Sequence, residues 1–161
     1  MAFADNKATV TCTTQILPAE ISKNISGTLS FTPAGNTDKW YYKLTSVVHN
    51  SSQLLISAGA NYLDNTSTAS QTEPSVVAAG DKIKFLFIKN LNSSYSLYLS
   101  LGDADGTHDA TIDASSDKNL ILIRPSETLA MTLNGSEVQD VYIEATTGTT
   151  ECLVAAIITD V

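Results

Sequence analysis

The acidic stretch Gly102-Asp-Ala-Asp-Gly106, followed by Asp109 and Asp113, comes closer to chemistry than any other part of this chain. Asp-x-Asp-Gly sets two carboxylates on one side of a tight turn, which suits the oxygen-rich shell that Ca²⁺ prefers. Asp103, Asp105 and Asp109 are therefore the metal candidates, with calcium as the ion. The spacing lacks the bidentate Glu that completes a helix-flanked calcium loop, and Asp/Gly pairs equally serve an ordinary hairpin tip. The expectation is a solvated loop and no required cofactor. Glycoside hydrolysis by a pair such as Asp103 and Asp105 needs carboxylates about 5 to 9.5 Å apart across a cleft, and sequence spacing does not fix such a distance here.

Nucleophilic chemistry has less to build on. Ser and Thr are abundant, but no strained Gly-x-Ser-x-Gly elbow is present. His49 sits beside Asn50 at a strand end and reads as a surface residue, and His108 belongs to the acidic loop. Cys12 and Cys152 stand near opposite ends of the chain. With His49 and His108 they make a poor zinc set, because the ligands are scattered and carry no paired spacing. A disulfide would require the terminal strands to be neighbours, whereas a reducing compartment argues for two buried free thiols. The expectation is no catalytic residue and no enzyme.

The remaining candidate is the triplet Trp40-Tyr41-Tyr42 at the start of an apolar run. On a strand, Trp40 and Tyr42 share one face and Tyr41 takes the other. Aromatic faces stack on sugar rings, so a carbohydrate-binding role is one reading; packing in a core or subunit interface is the commoner use of such large rings.

Placing these residues requires β-structure. Short apolar and β-branched runs at 8–17, 25–31, 39–48, 53–57, 82–88, 95–101, 120–123, 128–133, 141–143 and 152–158 are bounded by Gly, Asn, Asp, Ser or Pro. Each is too short for a helix, and together they predict an all-β, antiparallel, jelly-roll-like sandwich of about eight to ten strands. Residues 18–23 and 136–140 offer at most a helical turn. The stretch 59–80 is polar and shows neither period, so it reads as a long loop or arm on a single domain spanning 1–161. Asn50-Ser-Ser52 and Asn92-Ser-Ser94 each join a strand to a strand, an echo that turn chemistry alone predicts.

Composition narrows the function classes. A chain of 161 residues with 43% apolar content supports one core of ordinary size. Net charge is −8 and Arg124 is the only arginine, so no basic surface is available for nucleic acid or an anionic membrane. The start, Met1-Ala-Phe-Ala-Asp-Asn-Lys7, lacks the basic residues and long apolar run of a secretory signal, and no run approaches the roughly 20 apolar residues of a membrane helix. Sequons at Asn24, Asn50, Asn65, Asn92 and Asn134 are expected by chance in so Ser/Thr-rich a chain.

From Gly80 to Val161 the sequence resembles small β-sandwich structural proteins of tailed bacteriophage particles. The resemblance is carried by Lys84-Phe-Leu-Phe-Ile-Lys-Asn90, by the hairpin ending Leu99-Ser-Leu-Gly102, by the corner Leu122-Ile-Arg-Pro-Ser-Glu-Thr128, and by Glu144-Ala-Thr-Thr-Gly-Thr-Thr150 before a final apolar strand. Ser126 stands where that pattern has Gly. The resemblance implies a virion component assembled in a bacterial cytoplasm: a capsid decoration or cement protein, or a small tail or baseplate part. Its implied partners are the major capsid protein or other virion subunits, with homo-oligomerisation left open. Trp40, Tyr42 and Tyr62 are the candidate contact residues, and 59–80 and the N-terminal strand are the segments expected to reach across a seam. A carbohydrate-binding module for host adhesion is the alternative.

Overall fold

The computed structural model describes residues 8–16, 23–31, 37–60, 76–102, 112 and 120–161. They form ten strands: β1 (Ala8–Ile16), β2 (Lys23–Phe31), β3 (Asp38–Val48), β4 (Gln53–Leu54), β5 (Lys82–Asn90), β6 (Leu97–Ser100), β7 (Leu120–Ile123), β8 (Thr128–Glu137), β9 (Tyr142–Ala145) and β10 (Thr149–Thr159). Among the described residues a 3-10 turn, Val138–Asp140, falls within the segment 136–140 where a helical turn was expected. Of the other such segment, 18–23, residues 18–22 lie outside the described residues and Lys23 opens β2. The chain divides into two compact units, Met1–Asn36 and Thr37–Val161.

The first unit contains β1 paired antiparallel with β2, from Ala8↔Phe31 to Ile16↔Lys23. The second contains two four-stranded antiparallel sheets, ordered β3-β10-β5-β8 and β4-β9-β6-β7. Every connection from β3 to β10 crosses from one sheet to the other, except the β6–β7 link within the second. This order is the jelly roll, two interlocked Greek keys closed into a double sheet.

The alternation expected of half-buried strands fixes which residues fill the space between the sheets. Tyr41 and Val47 of β3 point inward, with Leu86 and Ile88 of β5 and Cys152, Val154, Ala156 and Ile158 of β10. Leu97, Leu99, Ile123, Ile143 and Ala145 face them from the second sheet. β4 is shorter than the apolar run 53–57 suggested, because Leu55 and Ile56 turn into this core and the Leu55 amide donates to Val141 O at 2.9 Å.

Buried polar side chains hold the connections. The Asn90 side chain, fully buried, donates through Nδ2 to the carbonyls of Tyr95, Ile123 and Arg124, and its Oδ1 accepts the Asn92 amide at 2.9 Å. Asn92 Oδ1 in turn accepts the amides of Ser94 and Tyr95. At the other echoed turn, Asn50 has φ 55° and its amide donates to Glu144 Oε1. Similar residues thus turn the chain by different bonding, as convergence on turn chemistry predicts. Asp81, also buried, accepts the Ala78 amide at 2.8 Å and the Val161 amide at 3.2 Å.

The base of the 59–80 segment is closed by paired amides: Gly59 donates to Val77 O and Val77 donates to Ala60 O. Residues 61–75, Tyr62 included, lie outside the described residues.

The corner Arg124-Pro-Ser-Glu127 is a type II turn, with Pro125 at its second position and the Glu127 amide donating to Arg124 O at 3.1 Å. Ser126 takes φ 61°, in the left-handed region that favours Gly. The cost of that conformation falls on Ser. Ser126→Gly is expected to raise unfolding free energy by about 0.5–1 kcal/mol and Ser126→Val to lower it by about 1–2 kcal/mol. Urea denaturation checks both; two neutral variants would refute the strain.

Candidate interface

The register of the first sheet assembles its outer face row by row. Trp40, Ile157, Phe85 and Thr132 lie across the four strands in one row. Tyr42, Ala155, Phe87 and Ala130 form the next, and Leu44, Leu153, Lys89 and Thr128 the third. Lys89 is the only charge in these three rows. Trp40 and Tyr42 therefore share a face opposite Tyr41, as their spacing requires.

This face is unusual for a sheet whose other side already packs on a core. Antiparallel sheets commonly turn polar residues to water. Here Tyr42 is 45% exposed and Leu44 52%, with Val48 farther along β3 at 44%. Ile157, which the register sets between Trp40 and Phe85, is fully buried, and Phe85 nearly so; neither belongs to the cluster between the sheets. The outer surface thus carries an apolar layer of its own, rooted in buried side chains and opening to solvent along β3. Covering the exposed half of Tyr42 or Leu44 would contribute roughly 1 kcal/mol each.

Apart from Lys89, the charges paired near this face lie at its end, around the start of β3. Asp38, buried at the start of β3, accepts Lys84 Nζ at 2.9 Å and Thr159 Oγ1 at 2.6 Å. Lys84 is free to reach it because β5 bulges there, where the register shifts between Ile157 and Ile158. Lys39 pairs with Asp160 at 2.6 Å.

On the outer side of the second sheet, Glu144 is buried and accepts the Asn50 amide at 3.0 Å and Ser52 Oγ at 2.8 Å, while Ser52 Oγ accepts the Ile112 amide at 2.6 Å. This chain of bonds ties β9 to the β3–β4 turn and to one residue of the β6–β7 connection. Both carboxylate oxygens of Glu144 and the Ser52 hydroxyl are thereby engaged in holding loops.

Of the other sequence candidates, Asp103, Asp105, Asp109, His108 and Tyr62 lie outside the described residues. Among the described residues no group of three or more His, Cys, Asp or Glu is placed to hold a metal. His49 is exposed, with Nδ1 donating to Ala145 O at 3.1 Å. No helix among the described residues is long and apolar enough to cross a membrane.

Leu44, Phe87, Ala130, Leu153 and Ala155 complete the face around Trp40 and Tyr42, and the aromatic triplet alone did not reveal them. The signal lay in the unbroken apolar runs 85–88 and 152–158. A strand without alternation is one covered on both faces.

No protein-family model matches the sequence, and no curated protein matches it. Two solved structures are similar in arrangement. The coat protein of Tobacco streak virus, as a dimer at 2.4 Å, aligns with 80% of this chain and 88% of its own at 13% identity and a TM-score of 0.39. A C2 crystal form of that coat protein, at 2.1 Å, covers 78% of this chain and 88% of its own at 12% identity and a TM-score of 0.36. Likeness of this degree carries no inference about activity or partners.

Cys152 is a free thiol in the core, and burial pushes it up to about 12 from 9.0. The unfolded chain therefore releases this proton first as pH rises. Stability from the neutral thiol is fully present below about pH 9 and is lost between there and about pH 12. In a Cys12→Ser background, Cys152 is expected to resist Ellman's reagent until the protein unfolds, and Cys152→Ala should flatten the alkaline loss of stability. A thiol that reacts rapidly in the folded protein would contradict this burial.

Proposed function

We propose that this chain is a structural subunit of a virus particle, and within that class a decoration or cement protein of a tailed bacteriophage. The observation that carries the reading is the sheet β3-β10-β5-β8, apolar on both faces, whose outer rows run from Trp40, Tyr42 and Leu44 to Phe87 and Ala130. Exposed contiguous apolar surface on a jelly roll is a subunit-contact surface first, since a free monomer gains nothing from it and risks aggregation.

Several features agree. Jelly rolls serve capsids and also lectins, so the fold admits the role without requiring it. Two of the four features behind the phage resemblance, Asn90 and the Pro125-Ser126 corner, are bonded to each other, and the residue after Asn90 is bonded to β10. Asn90 binds the corner through Arg124 O, and the Leu91 amide binds β10 through Glu151 O. An acidic chain with a single arginine suits binding to protein neighbours better than to packaged nucleic acid. Mechanistically, weak contacts repeated around a shell add by multivalency, and the neighbour is the major capsid protein or another virion subunit. A small tail or baseplate part would use the same surface.

A carbohydrate-binding role is the second reading, favoured by the placement of Trp40 and Tyr42 on one face. The two readings separate by experiment. Particles from cells producing this chain should retain it through sedimentation, and Tyr42→Glu should reduce the retained fraction at least about tenfold while leaving circular dichroism unchanged. Glycan binding by the isolated protein that Trp40→Ala abolishes, with no retention on particles, would overturn the structural reading in favour of adhesion.

A further inference from the structure

Asn134-Gly135 is the only Asn-Gly pair in the chain, and the fold puts it in an unexpected place. That dipeptide ordinarily makes the tight turn of a hairpin. Here it lies within a strand, β8, at the point where pairing with β5 breaks register. Thr132 pairs with Phe85 and Ser136 with Ile83, so Leu133, Asn134 and Gly135 together face the single residue Lys84. The bulge carries the backbone through Gly135 at φ 84°. β8 also ends the order β3-β10-β5-β8, so among the described residues it is paired along one edge only. A bulged edge strand opens locally at lower cost than a central one.

The side chain of Asn134 is exposed, and among the described residues nothing holds it. Asn90, Asn92 and Asn50 are placed differently. The side chains of Asn90 and Asn92 are locked in hydrogen bonds to the surrounding turn. Asn50 is followed by Ser51, whose Cβ crowds any approach to its backbone nitrogen. Gly135 has no side chain, so its nitrogen reaches the Asn134 side-chain carbonyl with the least obstruction.

We propose that Asn134 is a site of spontaneous covalent modification, at which the folded chain converts this asparagine to aspartate and isoaspartate through a cyclic imide. The Gly135 nitrogen gives up its proton to base and attacks Asn134 Cγ; the N–Cγ bond forms, the Cγ–Nδ2 bond breaks and ammonia leaves. Water then opens the ring. Cleavage of the new N–Cγ bond leaves aspartate in a normal backbone, whereas cleavage of the original peptide bond leaves isoaspartate, with the chain running through the side chain. Water is the only co-reactant, and nothing is oxidised or reduced. Either product adds a negative charge to a stretch that carries none from Thr128 to Ser136. A charge on an edge strand opposes its pairing with another sheet. Isoaspartate also lengthens the backbone by a methylene within the bulge, where the register is already broken. The free edge of the sheet thus becomes charged as the protein ages.

This inference stands apart from the virion assignment and is tested on the purified, folded chain. The chain is held at neutral and at mildly alkaline pH, and samples are cut with a glutamate-specific endoprotease. The cut releases Thr128–Glu137, in which Asn134 is the only side-chain amide. That peptide should acquire the mass of the acid form, resolved into two isomers, faster than the peptides carrying Asn50 or Asn92 and faster at the higher pH. Ion exchange of the intact chain should show an acidic species accumulating, and Asn134→Gln should remove its main component. An Asn134 that stays an amide in the folded chain while the urea-unfolded chain converts would overturn the proposal. So would an acidic species undiminished in Asn134→Gln.

Discussion

A strand buried on both faces is the constraint from which the rest of this structure follows. β10 is paired on both edges, to β3 and β5, and its residues are apolar on both sides: Cys152, Val154, Ala156 and Ile158 inward, Leu153, Ala155 and Ile157 outward. The inward set is covered by the second sheet, which makes the sandwich. The outward set extends through Trp40, Phe85 and Phe87 into a surface that water covers poorly. On that side Ile157 and Phe85 are already buried, and the apolar surface is most open to water along β3, at Tyr42, Leu44 and Val48.

Rigidity of that surface comes from buried polar groups at the loops. Asp38, Asp81, Asn90 and Glu144 are each nearly inaccessible, and each accepts or donates at least two hydrogen bonds to a connection or a strand end. Leaving such groups unpaired would cost more than the bonds contribute, so their partners are fixed with the fold. The corners cannot readily slide, and the strands between them hold their register. A sheet with fixed register presents its outer rows as a defined pattern, which is what a specific partner requires.

Much of this was legible in the residues. All ten strands lie where short β-branched runs end in turn formers, and the opposition of Trp40 and Tyr42 to Tyr41 follows from a period of two. Boundaries were less legible: β4 stops at Leu54 because tertiary packing draws Leu55 and Ile56 inward, and β8 runs on to Glu137 through a shifted register and Gly135 at φ 84°. The roles of Asp38 and Glu144 had no local signal, since their partners are far along the chain. Ser126 concealed a left-handed turn that Gly would have announced. The outer face was half visible, because aromatic residues attract notice while Ala130, Leu153 and Ala155 contribute only by register.

The central claim is that a partner covers this face. Hydroxyl-radical footprinting of the assembled protein against the same protein dissociated by dilution reads it directly, with Tyr42 as the reporter. Strong protection of Tyr42 on assembly, with exposed Tyr95 oxidised equally in both states, is the result the account predicts. Equal oxidation of Tyr42 before and after assembly would contradict it.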